Sequence, residues 1–405
     1  MRIEYPRYTE RFGSVRINTL QKILELDAGK AKEQLRRDVD SYLTDAEELE
    51  AIQKKLAIVV PIKNEKIKLF EGILKAIPHD CLLIIISNSR RAGIDRFLIE
   101  KDVLNQFYHF THRKAVIIHQ KDQYLAEAFK KGGYHEILDD NGLVCDGKAE
   151  GMIVGIILAK LFQKDYVGFI DADNYIPGAA WEYVKDFALG FSVAKSPYTM
   201  IRLSWLYKPK VTGMPGGLFF KKWGRVSESS NRCINSLISD STGFGTDIVK
   251  TTCAGEHAMT MKLAEIIPYS TGYAIETGEL LFIFENFGGI LPTDYPTVIK
   301  RGVDIFQIET VNPHFHEDKG GVHLNDVYKS SLGLIYHSPL CGNKTRKLIR
   351  NILKGHSVLT NNEKIPKPRR YPPIKKIKFR AFSQAITPHL NDLAMGLPSD
   401  NLSTS

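Results

Sequence analysis

Cysteine is scarce in this chain and never closely spaced. Cys81, Cys145, Cys233, Cys253 and Cys341 are the only five in 405 residues, and no CxxC occurs. That excludes a zinc knuckle and offers no disulfide framework, in keeping with a reducing compartment. Long apolar runs are missing too. Those present, such as Leu82 to Ile86, are far too short to cross a bilayer. The first residues, Met1 to Tyr8, form no apolar signal region. The expectation is a soluble cytoplasmic protein without a membrane partner. No GxGxxG follows the first strong strand, so the usual dinucleotide fingerprint is absent, as is a Walker A sequence. No internal repeat stands out.

What is present describes an ordinary globular chain, 43% hydrophobic and 25% charged, long enough for a large core or two domains. The net charge is +9, from 55 Lys+Arg against 46 Asp+Glu. A mild basic excess fits nucleic acid, an anionic surface, small phosphorylated ligands or plain solubility. The basic, proline-rich stretch Lys364 to Arg380 lacks interleaved aromatics beyond Tyr371 and Phe379. It reads as a solvated, loosely packed tail, and nucleic acid is not an expected partner.

In chain order, residues 1–55 read as an N-terminal extension with helices. Asn18 to Leu26 has apolar residues at helical spacing, and Thr44-Asp-Ala-Glu47 is a capping box. Leu56 to Val60, Leu82 to Ile86, Ala115 to Ile118 and Tyr166 to Ile170 are short continuous apolar runs, the pattern of strands buried on both faces. Helical segments separate them, at Lys66–Ala76 and Gly147–Phe162. Strand and helix in alternation predict an α/β sheet with right-handed crossovers. Further on, Phe191–Ala194 and Tyr273–Glu276 read as short strands, Ala258–Ala264 and Glu279–Phe287 as helices, and Val303–Thr310 as a strand. The expected division is 1–55 extension, 56–260 core, 261–380 acceptor-side region with C-terminal helices, and 381–405 flexible tail.

The run Tyr166 to Ile170 ends in Asp171-Ala-Asp173. Residues two apart on an extended chain point the same way, so both carboxylates fit one side of a strand's carboxyl end. Ligands bind at that end of open α/β sheets. Paired oxygens there suit a hard divalent cation that also grips phosphate. The same spacing is compatible with a plain Asx turn through Asn174. His314 and His316 alternate along an extended segment and share a face, which suits a Mg²⁺, Mn²⁺ or Co²⁺ site.

Together, Val59-Val-Pro-Ile-Lys-Asn-Glu65, Ser87-Asn-Ser-Arg90, Gly147-Lys-Ala-Glu-Gly-Met152, Asp171-Ala-Asp173, Ala254-Gly-Glu-His257 and Asn312-Pro-His-Phe-His-Glu-Asp-Lys319 resemble the mannosyl-3-phosphoglycerate synthase family. The resemblance implies a GT-A (Rossmann-like) α/β fold, with a mixed, mainly parallel sheet flanked by helices and a smaller C-terminal region. It implies transfer of mannose from GDP-mannose to the 2-hydroxyl of 3-phosphoglycerate with retention, and a divalent metal. A homodimer is the assembly considered. Glucosyl-3-phosphoglycerate synthase shares the general layout and stays open as an alternative. A nucleotidyltransferase is disfavoured, because Pro61-Ile-Lys-Asn-Glu65 contains no glycine.

Roles follow residue by residue. Pro61, Lys63, Asn64, Glu65, Ser87, Asn88 and Arg90 are expected around the nucleoside. Lys148, near a helix N-terminus, is expected on the base or a phosphate. Asp171 is assigned to ribose or the metal shell, with Ala172 beside it. Asp173 is the expected metal ligand, with His314 favoured over His316 as its partner. Glu256, next to His257, is expected on donor-sugar hydroxyls, where it would stabilise developing positive charge. For the acceptor's phosphate and carboxylate, Arg202 is the first choice. Lys121, Lys208, Lys210 and the backbone at Gly216 and Gly217 are the other acceptor candidates.

Overall fold

The computed structural model describes residues 2–23, 41–43, 46–205, 210–211, 218–219, 225–317, 320–360, 363–390 and 392–397. Its strands are β1 (Arg2–Phe12), β2 (Val15–Ile23), β3 (Ser41–Leu43), β4 (Leu56–Ile62), β5 (Leu82–Ser87), β6 (Ala115–His119), β7 (Tyr166–Phe169), β8 (Thr199–Trp205), β9 (Lys210–Val211), β10 (Leu218–Phe219), β11 (His257–Thr260), β12 (Val303–Thr310), β13 (His316–Glu317) and β14 (Ala394–Met395). Eleven of them form one mixed sheet, in the order β14-β6-β5-β4-β7-β11-β8-β12-β2-β1-β3. β9, β10 and β13 form a small second sheet.

Alternation decides which core each strand residue enters. Leu56, Ile58 and Val60 join one buried cluster, while Ala57 and Val59 join the other. Helices Ile67–Ala76 and Pro177–Ser192 cover the first face; Lys148–Leu161 and Ile275–Phe287 cover the second. A strand sealed on both faces cannot alternate polar with apolar, which is why β4, β5 and β6 read as continuous β-branched runs. Each such side chain contributes about 1.5–3 kcal/mol by burial.

β4, β5, β6 and β7 are mutually parallel, and β12 is parallel to both β8 and β2. β11 runs antiparallel between β7 and β8. The carboxyl ends of β4 to β8 and β12 therefore share one edge of the sheet, and β11 begins there.

Several expectations need correction. Asn18 to Leu26 is not helical over its described part, because β2 runs to Ile23 and forms a hairpin with β1. Left-handed Gly13 (φ 58°) turns the hairpin. Val15 and Ile17 enter one core and Leu20 the other, so a short apolar set matched two periods. β2 pairs with β12, so this segment is part of the sheet rather than a helical extension. Helix Ala46–Lys54 forms as expected; Thr44 and Asp45 of its capping box lie outside the described residues.

Phe191–Ser192 ends the helix Pro177–Ser192 instead of starting a strand. Ala258 and Met259 enter opposite cores, so His257–Thr260 is a strand and only Met261–Ala264 is helical. Tyr273 and Ala274 belong to a tight turn, Gly272–Ala274, and Ile275 and Glu276 open the helix Ile275–Phe287. The basic stretch is docked, not loose: Tyr371, Ile374 and Ile377 are buried, and Arg370 pairs with Glu285 at 2.9 Å. Past it, Phe379–Leu390 is a helix whose Phe382 packs on Phe129, and β14 pairs with β6. Residues 398–405 lie outside the described residues. Among those described, no helix is long and apolar enough to cross a membrane.

Candidate active site

The register builds the site. The last residue of β7, Phe169, lies opposite the first residue of β11, His257. Glu256 is thereby delivered beside Ile170 and Asp171. Thr310 lies opposite Trp205, so β8 and β12 end together and send the chain at 311–317 across the same edge.

Lys148 is the first residue of helix Lys148–Leu161. Its Nζ lies 2.7 Å from Asp171 Oδ1 and 2.9 Å from Glu276 Oε1. Burial works against this ammonium, but Asp171 and Glu276 outweigh it and hold its pKa well above the ordinary 10.5. Gly255 is required alongside. A Cβ there would stand 2.7 Å from Asp171 Oδ2 and 3.2 Å from Lys148 Nζ.

Helix Pro177–Ser192 holds the two halves of the expected metal site together. The Asn174 side chain accepts from Ile176 N–H at 3.0 Å, an Asx turn that starts this helix. Asn174 Nδ2 also donates to the Tyr183 hydroxyl, which donates to Pro313 O. Glu182 accepts from Val311 N, Asn312 N and Asn312 Nδ2 at 2.6–2.8 Å. The Asp173 loop and the histidine segment are thus tied to adjacent residues of one helix. His316 Nδ1 stands 4.0 Å from Asp173 Oδ2. His314, the histidine favoured from sequence, instead has Nδ1 3.1 Å from Glu256 Oε1 and packs on Trp205.

Among the described residues, no group of three or more His, Cys, Asp or Glu is arranged to hold a metal ion. Glu256 is fully buried; His314 Nδ1 stands 3.1 Å from its Oε1, and among the described residues neither oxygen makes a well-aligned hydrogen bond. A buried carboxylate with so few partners is costly, and its oxygens can accept further donors. Burial, Glu256 and Glu182 keep the Tyr183 hydroxyl well above the usual tyrosine range, hence protonated and able to donate.

At the other end, Lys63, Asn64 and Arg90 are exposed, and Pro61, Glu65 and Asn88 half-buried. Asn64 is left-handed (φ 60°). Its N–H donates to Ser89 Oγ at 2.7 Å, and its Oδ1 accepts from Arg90 N at 2.9 Å. The loops after β4 and β5 are locked together by these bonds.

Three candidates, Arg202, His257 and Ser87, are sealed away from any ligand, and a fourth, Lys121, is already paired. Arg202 is wholly buried, with Nε on Thr251 O, one terminal nitrogen on Thr252 O and Glu276 O, and the other on Glu279. Its strand is covered on both faces, so an arginine there must point inward, and burial lowers its pKa. His257 is sealed likewise, its Nδ1 facing Ala254 O and Gly255 O and its Nε2 3.0 Å from Glu279 Oε2. Ser87 is buried with its hydroxyl on Glu100. Lys121 is held by Asp139 at 2.8 Å and Asp146 at 3.3 Å. The Ala172 side chain packs in the core, so any ligand contact there is through backbone.

Lys208, Gly216 and Gly217 lie outside the described residues, as does the side chain of Lys210. The Lys210 backbone in β9 pairs with His316 in β13. Sequence reasoning missed Glu276, Glu279, Glu182 and Glu100. For Glu276 and Glu279 a signal existed: a helix apolar all round, Ile275–Phe287, that still carries acids in its interior must hold buried partners for them.

The family model described as mannosyl-3-phosphoglycerate synthase matches residues 5–386. A Pyrococcus furiosus mannosyl-3-phosphoglycerate synthase is 48% identical over 390 residues, covering 95% of this chain and 97% of that protein. The Aeropyrum pernix protein of the same name is 33% identical over 386 residues, covering 95% and 97%. Among solved structures, a Mycobacterium tuberculosis glucosyl-3-phosphoglycerate synthase with Mn²⁺, UDP-glucose and glycerol 3-phosphate superposes with a TM-score of 0.49 at 17% identity. That match covers 82% of this chain and 96% of that one.

Proposed function

The chain belongs to the mannosyl-3-phosphoglycerate synthase family, and on that premise we propose that it transfers mannose from GDP-mannose to the 2-hydroxyl of 3-phosphoglycerate with retention. The observation that carries the reading is the meeting of Lys148–Asp171, Asp173–His316 and Glu256 at the shared strand edge.

In this reading the loops of Pro61, Lys63, Asn64, Glu65, Asn88 and Arg90 take the nucleoside, and Asp171, oriented by Lys148, takes the ribose. Glu256 accepts sugar hydroxyls, which both orients the ring and offsets positive charge as the anomeric bond breaks. Asp171, Asp173, Glu256 and Glu276 against Lys148 give the edge an excess of negative charge that repels a bare diphosphate. Asp173 and His316 would hold a divalent cation, Mg²⁺, Mn²⁺ or Co²⁺, at the donor diphosphate. Such an ion neutralises the leaving group and acts as a Lewis acid. Retention is assigned to front-face attack, with the departing phosphate taking the acceptor's proton. Trapping a covalent mannosyl–enzyme would contradict that step.

The acceptor site is assigned to the side where β9 meets β13. The test is incubation with GDP-mannose, 3-phosphoglycerate and each metal, following GDP and the phosphorylated product. A UDP-sugar panel run in parallel separates the glucosyl alternative. No GDP release with any metal would overturn the proposal.

A further inference from the structure

Helix Arg96–Thr111 presents Phe97, Glu100 and Leu104 to the interior, so a carboxylate stands in an otherwise apolar stripe and is only 2% exposed. Its partners are two hydroxyls rather than a cation: Ser87 Oγ at 2.7 Å and Ser89 Oγ at 2.6 Å, one on each oxygen. Each serine also accepts a backbone N–H. Ser87 Oγ takes that of Ser89, and Ser89 Oγ takes that of Asn64 at 2.7 Å. A carboxylate only accepts, so it fixes the direction of both chains. Hydrogen bonds run from Asn64 N–H through Ser89 to Glu100, and from Ser89 N–H through Ser87 to Glu100. Asn64, held at φ 60°, returns the bond by accepting from Arg90 N.

We infer that Glu100 is a positioning residue for the nucleoside end of the site: without touching ligand, it sets the shape of the loops that carry Lys63, Asn64, Asn88 and Arg90. The inference rests on the reading that these loops bind the nucleoside. Burying a carboxylate on a core stripe is unfavourable unless it is fully bonded, and here both oxygens are spent on the two serines at the end of β5, of which Ser89 reaches on to Asn64 in the loop after β4. Replacing it by Gln puts an amide where an acceptor is needed. One serine must then turn its proton away, and the backbone N–H behind it loses its alignment.

The test measures GDP binding by calorimetry in the presence of Mg²⁺, with steady-state kinetics, for wild type, Glu100→Gln, Ser89→Ala and the double variant. Weakening of GDP by about tenfold is expected for each single variant, the loss of one buried hydrogen bond. The KM for GDP-mannose should rise in step, with kcat at saturating donor and the acceptor KM within about twofold. The double variant should be no worse than the poorer single one, because both act through one chain. Folded single variants with unchanged GDP affinity would overturn the inference, as would kcat and acceptor KM falling together. Failure of wild type itself to bind GDP would instead remove the nucleoside reading beneath it.

Discussion

Glu276 and Glu279 stand one turn apart on the same helix, and each holds a cation. Glu276 grips Lys148, which also binds Asp171; Glu279 grips Arg202 and His257. The side chains of Lys148 and Asp171 are 19% and 29% exposed, whereas Arg202, His257 and Glu279 are at 0%. The chemistry is similar, but only the first cluster can meet a substrate. The sealed one braces β8, the 251–252 loop and β11 behind it. Exposure, not residue type, separates the working charges from the supporting ones.

Mutations can break that contrast. Glu279→Ala should have the largest effect, costing about 3–5 kcal/mol because Arg202 is left buried without its partner. Thermal denaturation reads this, and a melting temperature within a degree or two of wild type would show that the cluster is not a brace. Glu276→Gln should do the reverse, lowering kcat/KM by roughly a hundredfold, about 2.7 kcal/mol at the transition state, with little change in melting temperature. Gly255→Ala comes next. Its methyl would press on the Asp171–Lys148 pair, and about a tenfold fall in kcat/KM in a folded protein is expected.

The smallest effect is a pH dependence. Burial lowers the His119 pKa from its ordinary 6.5, against a hydrogen bond to Ser89 O. Its Nδ1 accepts from Lys121 N, so the neutral ring fits and the charged one does not. The folded pKa lies below the unfolded value, so this contribution is whole above 6.5 and fades as pH falls through the lowered value. Stability to thermal denaturation measured across pH 5 to 7.5 should fall on the acid side by about 0.5–1 kcal/mol. His119→Gln should flatten that profile.

The parallel strands were legible because burial on both faces forces an unbroken apolar run, as in Leu56–Val60 and Leu82–Ile86. The N-terminal hairpin was not, because Val15, Ile17 and Leu20 divide between two cores and so sparse an apolar set fits helical spacing as well as strand alternation. The basic C-terminal stretch misled through composition: Tyr371, Ile374 and Ile377 anchor it, but its charges dominate the sequence. At the site, Asp171 and Asp173 stood out because they end a short strand. Arg202 drew attention as a basic group for an anionic acceptor, yet Ile201 and Leu203 on either side enter a core, which marks a strand with no solvent face. Ser87 failed similarly, since a strand-end hydroxyl gives no sign of the carboxylate waiting on a later helix.

Asp173 is the group proposed to make the edge competent for the donor diphosphate. The most direct measurement is the initial rate of mannosyl-3-phosphoglycerate formation by Asp173→Ala, beside wild type, with Mg²⁺ or Mn²⁺ and saturating GDP-mannose and 3-phosphoglycerate. A loss of at least about a thousandfold, with circular dichroism and melting temperature unchanged, is the predicted result. Activity that survives the substitution with its metal requirement intact would contradict it.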